Sequence, residues 1–130
     1  MNTQQRIYKL ATKVLKIKNA SDEYIDFRKV KLSESMMLRT LTGIDFRGYI
    51  HCIDGSGINH AMRHHNITVN DIMLVPFILD NYDFIGLGKK KNTIVYKKLI
   101  GKEYFYVEEI RTGRKKLTIK TLYKRKRRQK

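Results

Sequence analysis

One cysteine (Cys52), one proline (Pro76) and no tryptophan are the first shortages in this chain of 130 residues. A lone thiol cannot close an internal disulfide. Neither CxxC nor HExxH occurs, the spacings by which many zinc sites are recognised. No apolar run approaches the length of a membrane span, and Met1–Lys18 lacks the apolar centre of a signal peptide. Proline- or serine-rich linkers and internal repeats are missing too. These absences point to an intracellular, cytoplasmic protein of bacterial or viral style.

Acidic residues are the other shortage. Twelve Asp and Glu stand against 28 Lys and Arg, a formal net charge of +16. Such an excess favours a polyanion, because each phosphate contact releases condensed counterions. An anionic membrane surface exerts the same pull, but no basic amphipathic helix with a Trp/Phe/Leu face appears, so the expected partner is nucleic acid and not membrane. With 42% hydrophobic residues, the chain is long enough for one domain with a real core.

Ile7, Leu10, Ala11, Val14 and Leu15 follow helical spacing and predict an amphipathic helix over Thr3–Lys16. Asn19–Asp22 reads as a break. Tyr24–Val30 fits a helix through Tyr24, Phe27 and Val30 and a strand through Ile25 and Phe27. Ser33 can cap a helix bearing Met37, Leu38 and Leu41, with Gly43 ending it. After a short apolar segment, Tyr49–Ile53, and the histidine-rich stretch described below, Thr68 and Asn70 can cap Val69–Tyr82, which Pro76 kinks or divides. From Asn92 the period changes to two. Thr93–Ile100, Glu103–Thr112 and Lys116–Lys124 read as three strands joined by tight turns. Leu117, Ile119, Thr121 and Tyr123 alternate along the third, which puts them in one core-facing row. The chain closes on Lys124–Lys130 without an apolar side chain. The fold class expected is α+β, with N-terminal helices packed against a C-terminal antiparallel sheet. Residues 1–45 form a helical extension, 46–124 the main domain and 125–130 a basic tail.

Gly57–Asn66, reading GINHAMRHHN, holds all but one of the four histidines. Asp54 or Ser56 can cap a helix there, and Asn66 can take the left-handed conformation that stops it. Ile58, Ala61, Met62 and His65 then share one side, while His60 and His64 are neighbours on another, close to Arg63. Cleaving RNA without a metal needs these residue types. A base takes the 2′-hydroxyl proton, an acid protonates the leaving 5′-oxygen, and cations hold the charged phosphorane. Histidine, titrating near neutrality, serves in either proton-transfer role. The basic loop Lys89-Lys90-Lys91 and the hydroxyls of Thr121 and Tyr123 are candidates to meet phosphate oxygens, and Lys98, Arg114, Lys124 and Arg125 extend the basic surface.

The order Ile58-Asn59-His60…His65, Thr68…Asp71-Ile72…Pro76…Leu79…Tyr82-Asp83, Tyr96-Lys97, Tyr106-Val107-Glu108-Glu109 and Leu117…Thr121-Leu122-Tyr123 resembles the phage Barnase–EndoU–colicin–RelE-like nucleases over about Tyr49–Lys124. The resemblance implies a small helix-plus-antiparallel-sheet fold and a metal-independent endoribonuclease of phage, mobile-element or toxin type, acting in a bacterial host without a cofactor. It implies transfer, messenger or ribosomal RNA as substrate and an acidic antitoxin or immunity protein as partner. The family's helical histidines match His60 and His65, its terminal strand hydroxyls match Thr121 and Tyr123, and Lys97 matches a basic strand position. Asn66 stands where the family often has glycine. On an ideal helix His60 and His65 are about 140° apart, so His64 competes with His65 as the partner of His60.

Other chemistries share these residues. His60 and His64 at i, i+4 can share a zinc ion, with His51 or Cys52 completing the set. Asp83–Lys90 is not a phosphate-binding P-loop, because Asp83 takes the place of its first glycine and Lys90 that of its Ser/Thr. A charge of +16 also suits a non-catalytic RNA- or DNA-binding protein, or an inhibitor that binds an acidic host protein. Thr121 and Tyr123 read equally well as a satisfied sheet hydroxyl and a core edge.

Overall fold

The computed structural model describes residues 2–16 and 23–126. The break expected at Asn19–Asp22 and the last four residues of the basic tail lie outside that range. Helix α1 (Thr3–Lys16) buries Ile7, Leu10, Ala11 and Val14, as the spacing predicts, whereas Leu15 stays 64% exposed. Tyr24–Lys29 is strand β1 and resolves the ambiguous stretch toward the sheet. Helix α2 (Leu32–Thr42) ends on Gly43, whose φ of 76° is the left-handed stop expected of it. Its first turn has no side-chain cap; Ser33 lies inside the helix, not before it. Strand β2 (Ile50–Asp54) runs straight into α3 (Gly55–His64), and the Asp54 carboxylate accepts the Gly57 N–H at 2.8 Å.

Pro76 divides the next apolar stretch. Helix α4 (Val69–Ile72) starts on a reciprocal Thr68–Asp71 capping box, and α5 (Val75–Asn81) carries Pro76 in its first turn, where a missing N–H costs least. Strand β3 (Phe84–Leu87) precedes β4 (Thr93–Ile100), β5 (Lys102–Arg111) and β6 (Lys116–Arg125). The sheet order is β1-β2-β6-β5-β4-β3. All neighbours are antiparallel except β2 and β6, which pair in parallel through Ile50–Lys116, His51–Leu117 and Cys52–Thr118. The α+β class holds, with a mixed sheet in place of a purely antiparallel one. Residues 1–45 are not helical throughout, because β1 is the outermost strand of that same sheet.

Alternation gives the sheet two unlike faces. One carries the buried Ile94, Tyr96, Tyr104, Tyr106 and Leu122 against the helices; Tyr104 donates to Asp71 of the α4 turn at 2.7 Å, and Tyr96 meets Tyr82 beyond α5. His51 also lies on this covered side, with its ring nitrogens 2.7 Å from Glu108 and 2.6 Å from Glu34. The other face bears Val95, Lys97, Phe105, Val107 and Tyr123 and borders open space. Helix α3 packs closely on β6 at Gly57, where an added Cβ would sit 2.5 Å from the Ile119 carbonyl oxygen, and His60 borders the open side. Gly57→Ala is therefore expected to cost about 1–3 kcal/mol through overpacking. A fall in the urea midpoint reports it; an unchanged midpoint would mean the helix–strand approach is not this close.

Candidate active site

A cavity of about 580 Å³ opens on that second face. Strand β5 supplies Phe105, Val107, Glu109 and Arg111, β4 supplies Val95 and Lys97, and β6 supplies Lys120, Tyr123 and Arg125. Helix α3 adds His60, and the β3–β4 loop adds Lys89 and Lys90. The lining holds six Lys or Arg against the carboxylates of Asp54 and Glu109, so its field is positive.

A register shift in β6 decides which side chains arrive there. Val107 pairs with Thr121 and Glu108 with Ile119, leaving Lys120 without a Cα partner. Such an extra residue reverses the alternation. Leu117 and Ile119 consequently pair with residues of the covered face, while Thr121 and Tyr123 pair with Val107 and Phe105 of the cavity face. The single core-facing row expected from Leu117 to Tyr123 is broken at Lys120.

The rings form a continuous run from helix to strand. His60 lies 4.7 Å from His64 and 5.4 Å from His65, centroid to centroid. His65 lies 5.4 Å from Tyr123, which stacks on Phe105 at 4.7 Å with an 8° interplanar angle. His65 reaches this position because it is the C-cap of α3, at φ −127° and ψ 11°, and has left the helical path. Asn66 follows at φ 54°, the left-handed turn read for it from sequence. Both candidate partners of His60 are thus beside it. Partial burial, then the charges of His64, His65, Lys120 and Lys90, hold the His60 imidazole below its ordinary pKa. The shift favours the neutral imidazole, the form that can accept a proton.

The family model described as phage-Barnase-EndoU-ColicinE5/D-RelE like nuclease 3 matches residues 28–130. The chain belongs to this nuclease family. No match is found among curated proteins or solved structures.

The nuclease's other expected residues divide by where the strands aim them. Lys97 projects into the cavity, with its ammonium 4.7 Å from the Phe84 centroid and 5.3 Å from that of Phe105; the Arg125 guanidinium lies 4.4 Å over Phe105. Lys98 and Lys124 alternate to the other face, where Asp83 and Asp71 engage them at 3.1 and 2.8 Å. Thr121 is buried, does not line the cavity, and its hydroxyl has no hydrogen-bond partner among the described residues. Arg63 is exposed and donates to Asn59 at 2.6 Å. Lys91 turns to the far side of its loop, by Leu41 and Ile44, and Arg114 lines a separate recess with Lys116 and Tyr24. His51 and Cys52, the residues considered for a zinc site with His60 and His64, are both buried on β2.

Sequence reading missed Lys120, Arg111, Glu109 and Asp54. Arg111 donates to Glu109 at 3.0 Å and lies 3.8 Å from Asp54, and Lys120 lies 3.5 Å from Glu109. Burial raises the pKa of Asp54, the same carboxylate that caps α3. Parity along β5 was the available signal for Glu109 and Arg111, because both share a face with Phe105 and Val107.

Proposed function

We propose that this nuclease is an endoribonuclease that cleaves RNA by attack of the 2′-oxygen on the adjacent phosphorus, without a metal ion. The observation that carries the reading is His60, its pKa lowered, at the edge of a cationic cavity and in ring contact with His65. Neutral His60 takes the 2′-hydroxyl proton as the 2′-oxygen bonds to phosphorus. The bond from phosphorus to the 5′-oxygen breaks, and that oxygen takes a proton from the acid, His65 or the Tyr123 hydroxyl. Lys120, Lys97 and Arg125 offset the extra negative charge that builds on the phosphoryl oxygens between these steps. One product ends in a 2′,3′-cyclic phosphate and the other in a free 5′-hydroxyl.

Purified protein incubated with total RNA in EDTA tests this directly. Expected are shortened RNA on a denaturing gel, cyclic-phosphate ends, and intact DNA, which lacks the nucleophile. Cleavage abolished by EDTA would transfer the reaction to a metal-dependent mechanism, and no cleavage of any RNA would leave a binding protein. Binding of a single strand should also weaken steeply with salt. If about four phosphates are neutralised, log K should fall against log salt with a slope of about −3. A flat dependence in a filter-binding titration would argue against phosphate contacts in the cavity.

A further inference from the structure

The geometry points to Phe84 as a stacking platform for the base of an unpaired nucleotide, so that the cavity takes single-stranded nucleic acid and excludes a duplex. This deepens the function proposed above; it depends on nucleic acid being the ligand but not on its being cleaved. Phe84 begins the edge strand β3, is 49% exposed and lines the cavity. Two residues on, Gly86 makes room for it: a Cβ there would stand 2.9 Å from both Cε1 and Cζ of the Phe84 ring. The ring is therefore laid along its own strand, over a position where a side chain would displace it. Leu87, 59% exposed, continues the apolar wall.

Charge complementarity selects the occupant. The wall does not stand alone as an apolar patch, because Lys97 lies 4.7 Å from the Phe84 centroid and Lys89 and Lys90 line the same cavity. A ligand that offers a flat apolar face with a negative group attached fits this pairing, and a nucleotide offers both. A base within a duplex has its faces covered by neighbours and cannot reach the ring. An apolar protein segment would match Phe84 and Leu87 but leave the lysines unanswered.

The test uses the full chain and 2′-deoxy oligonucleotides, which the proposed reaction cannot cut. A single strand carrying one 2-aminopurine should lose fluorescence on binding as the base stacks; the protein has no tryptophan to obscure the signal. Phe84→Ala should weaken binding about tenfold, the scale of one base–aromatic stack. It should also abolish the quenching, whereas Phe84→Tyr should retain both. Gly86→Ala, which disturbs only the seat of the ring, should reproduce part of the Phe84→Ala loss. An abasic site placed across the strand should erase the difference between wild type and Phe84→Ala. Equal affinity for duplex and single strand, or full binding and quenching by Phe84→Ala, would overturn the proposal. Stacking without cleavage of RNA would overturn only the ribonuclease reading, so the two failures are distinguishable.

Discussion

His60→Ala is expected to slow RNA cleavage on the order of 10²–10⁴-fold, the usual contribution of one general acid–base group. RNA affinity should change little. His60 is exposed on α3, alanine is the better helix former, and the cations of the cavity remain in place. The pH profile separates loss of a base from loss of a contact. The His60 pKa is held below its ordinary value, so the wild-type rate should rise with pH through a point below about 6.5. In His60→Ala that limb should vanish while the weakened rate persists on both sides of it. Tyr123→Phe provides the comparison: a modest loss if the hydroxyl only binds phosphate, and a loss similar to that of His60→Ala if it is the acid. An unchanged rate in His60→Ala, with the ring run otherwise intact, would remove the base from the proposed reaction.

The ring run also shows what sequence could and could not tell. The three C-terminal strands, the Asp54 cap, the Gly43 stop and the left-handed Asn66 were legible because each is settled within a few residues by period or backbone preference. Which strands become neighbours is settled at long range. Nothing local to Ile50–Asp54 announces that it will lie parallel to β6, more than sixty positions away. β3 is four residues with a glycine inside, too short for a period to show. The most consequential miss is the register shift at Lys120, which arises from pairing with β5 and leaves no local mark. It turns Thr121 and Tyr123 from core face to cavity face and puts Leu122 into the core, the reverse of what strict alternation from Leu117 gives. His65 shows the converse: an ideal helix separates it from His60, and the end of the real helix reunites them.

The fourth histidine should give the largest loss of stability. His51 is fully buried between Glu34 at 2.6 Å and Glu108 at 2.7 Å, and Arg28, which also reaches Asp80, grips Glu34 at 2.7 Å. These contacts join α2, β2 and β5 and link β1 to α5. Burial alone would lower the imidazole pKa, but the Glu108 and Glu34 carboxylates outweigh it and hold His51 at about 9. Glu34 is held below its ordinary value although burial pushes it up, because His51 and Arg28 pull harder. Truncation as His51→Ala strands two carboxylates without their shared cation, and about 3–5 kcal/mol should be lost. The pH dependence follows in sign. Since the folded pKa of His51 is raised, its contribution is complete below about pH 6.5 and disappears as pH rises through about 9, on the order of 3 kcal/mol in all. Glu34 acts oppositely: its contribution is present above the ordinary carboxylate value and disappears as pH falls through its depressed one. Urea unfolding across pH 5 to 10 should therefore show an alkaline decline in the wild type that is absent in His51→Ala. Parallel alkaline slopes in the two proteins would show that His51 is neutral between its carboxylates and that one of the glutamates carries the proton instead.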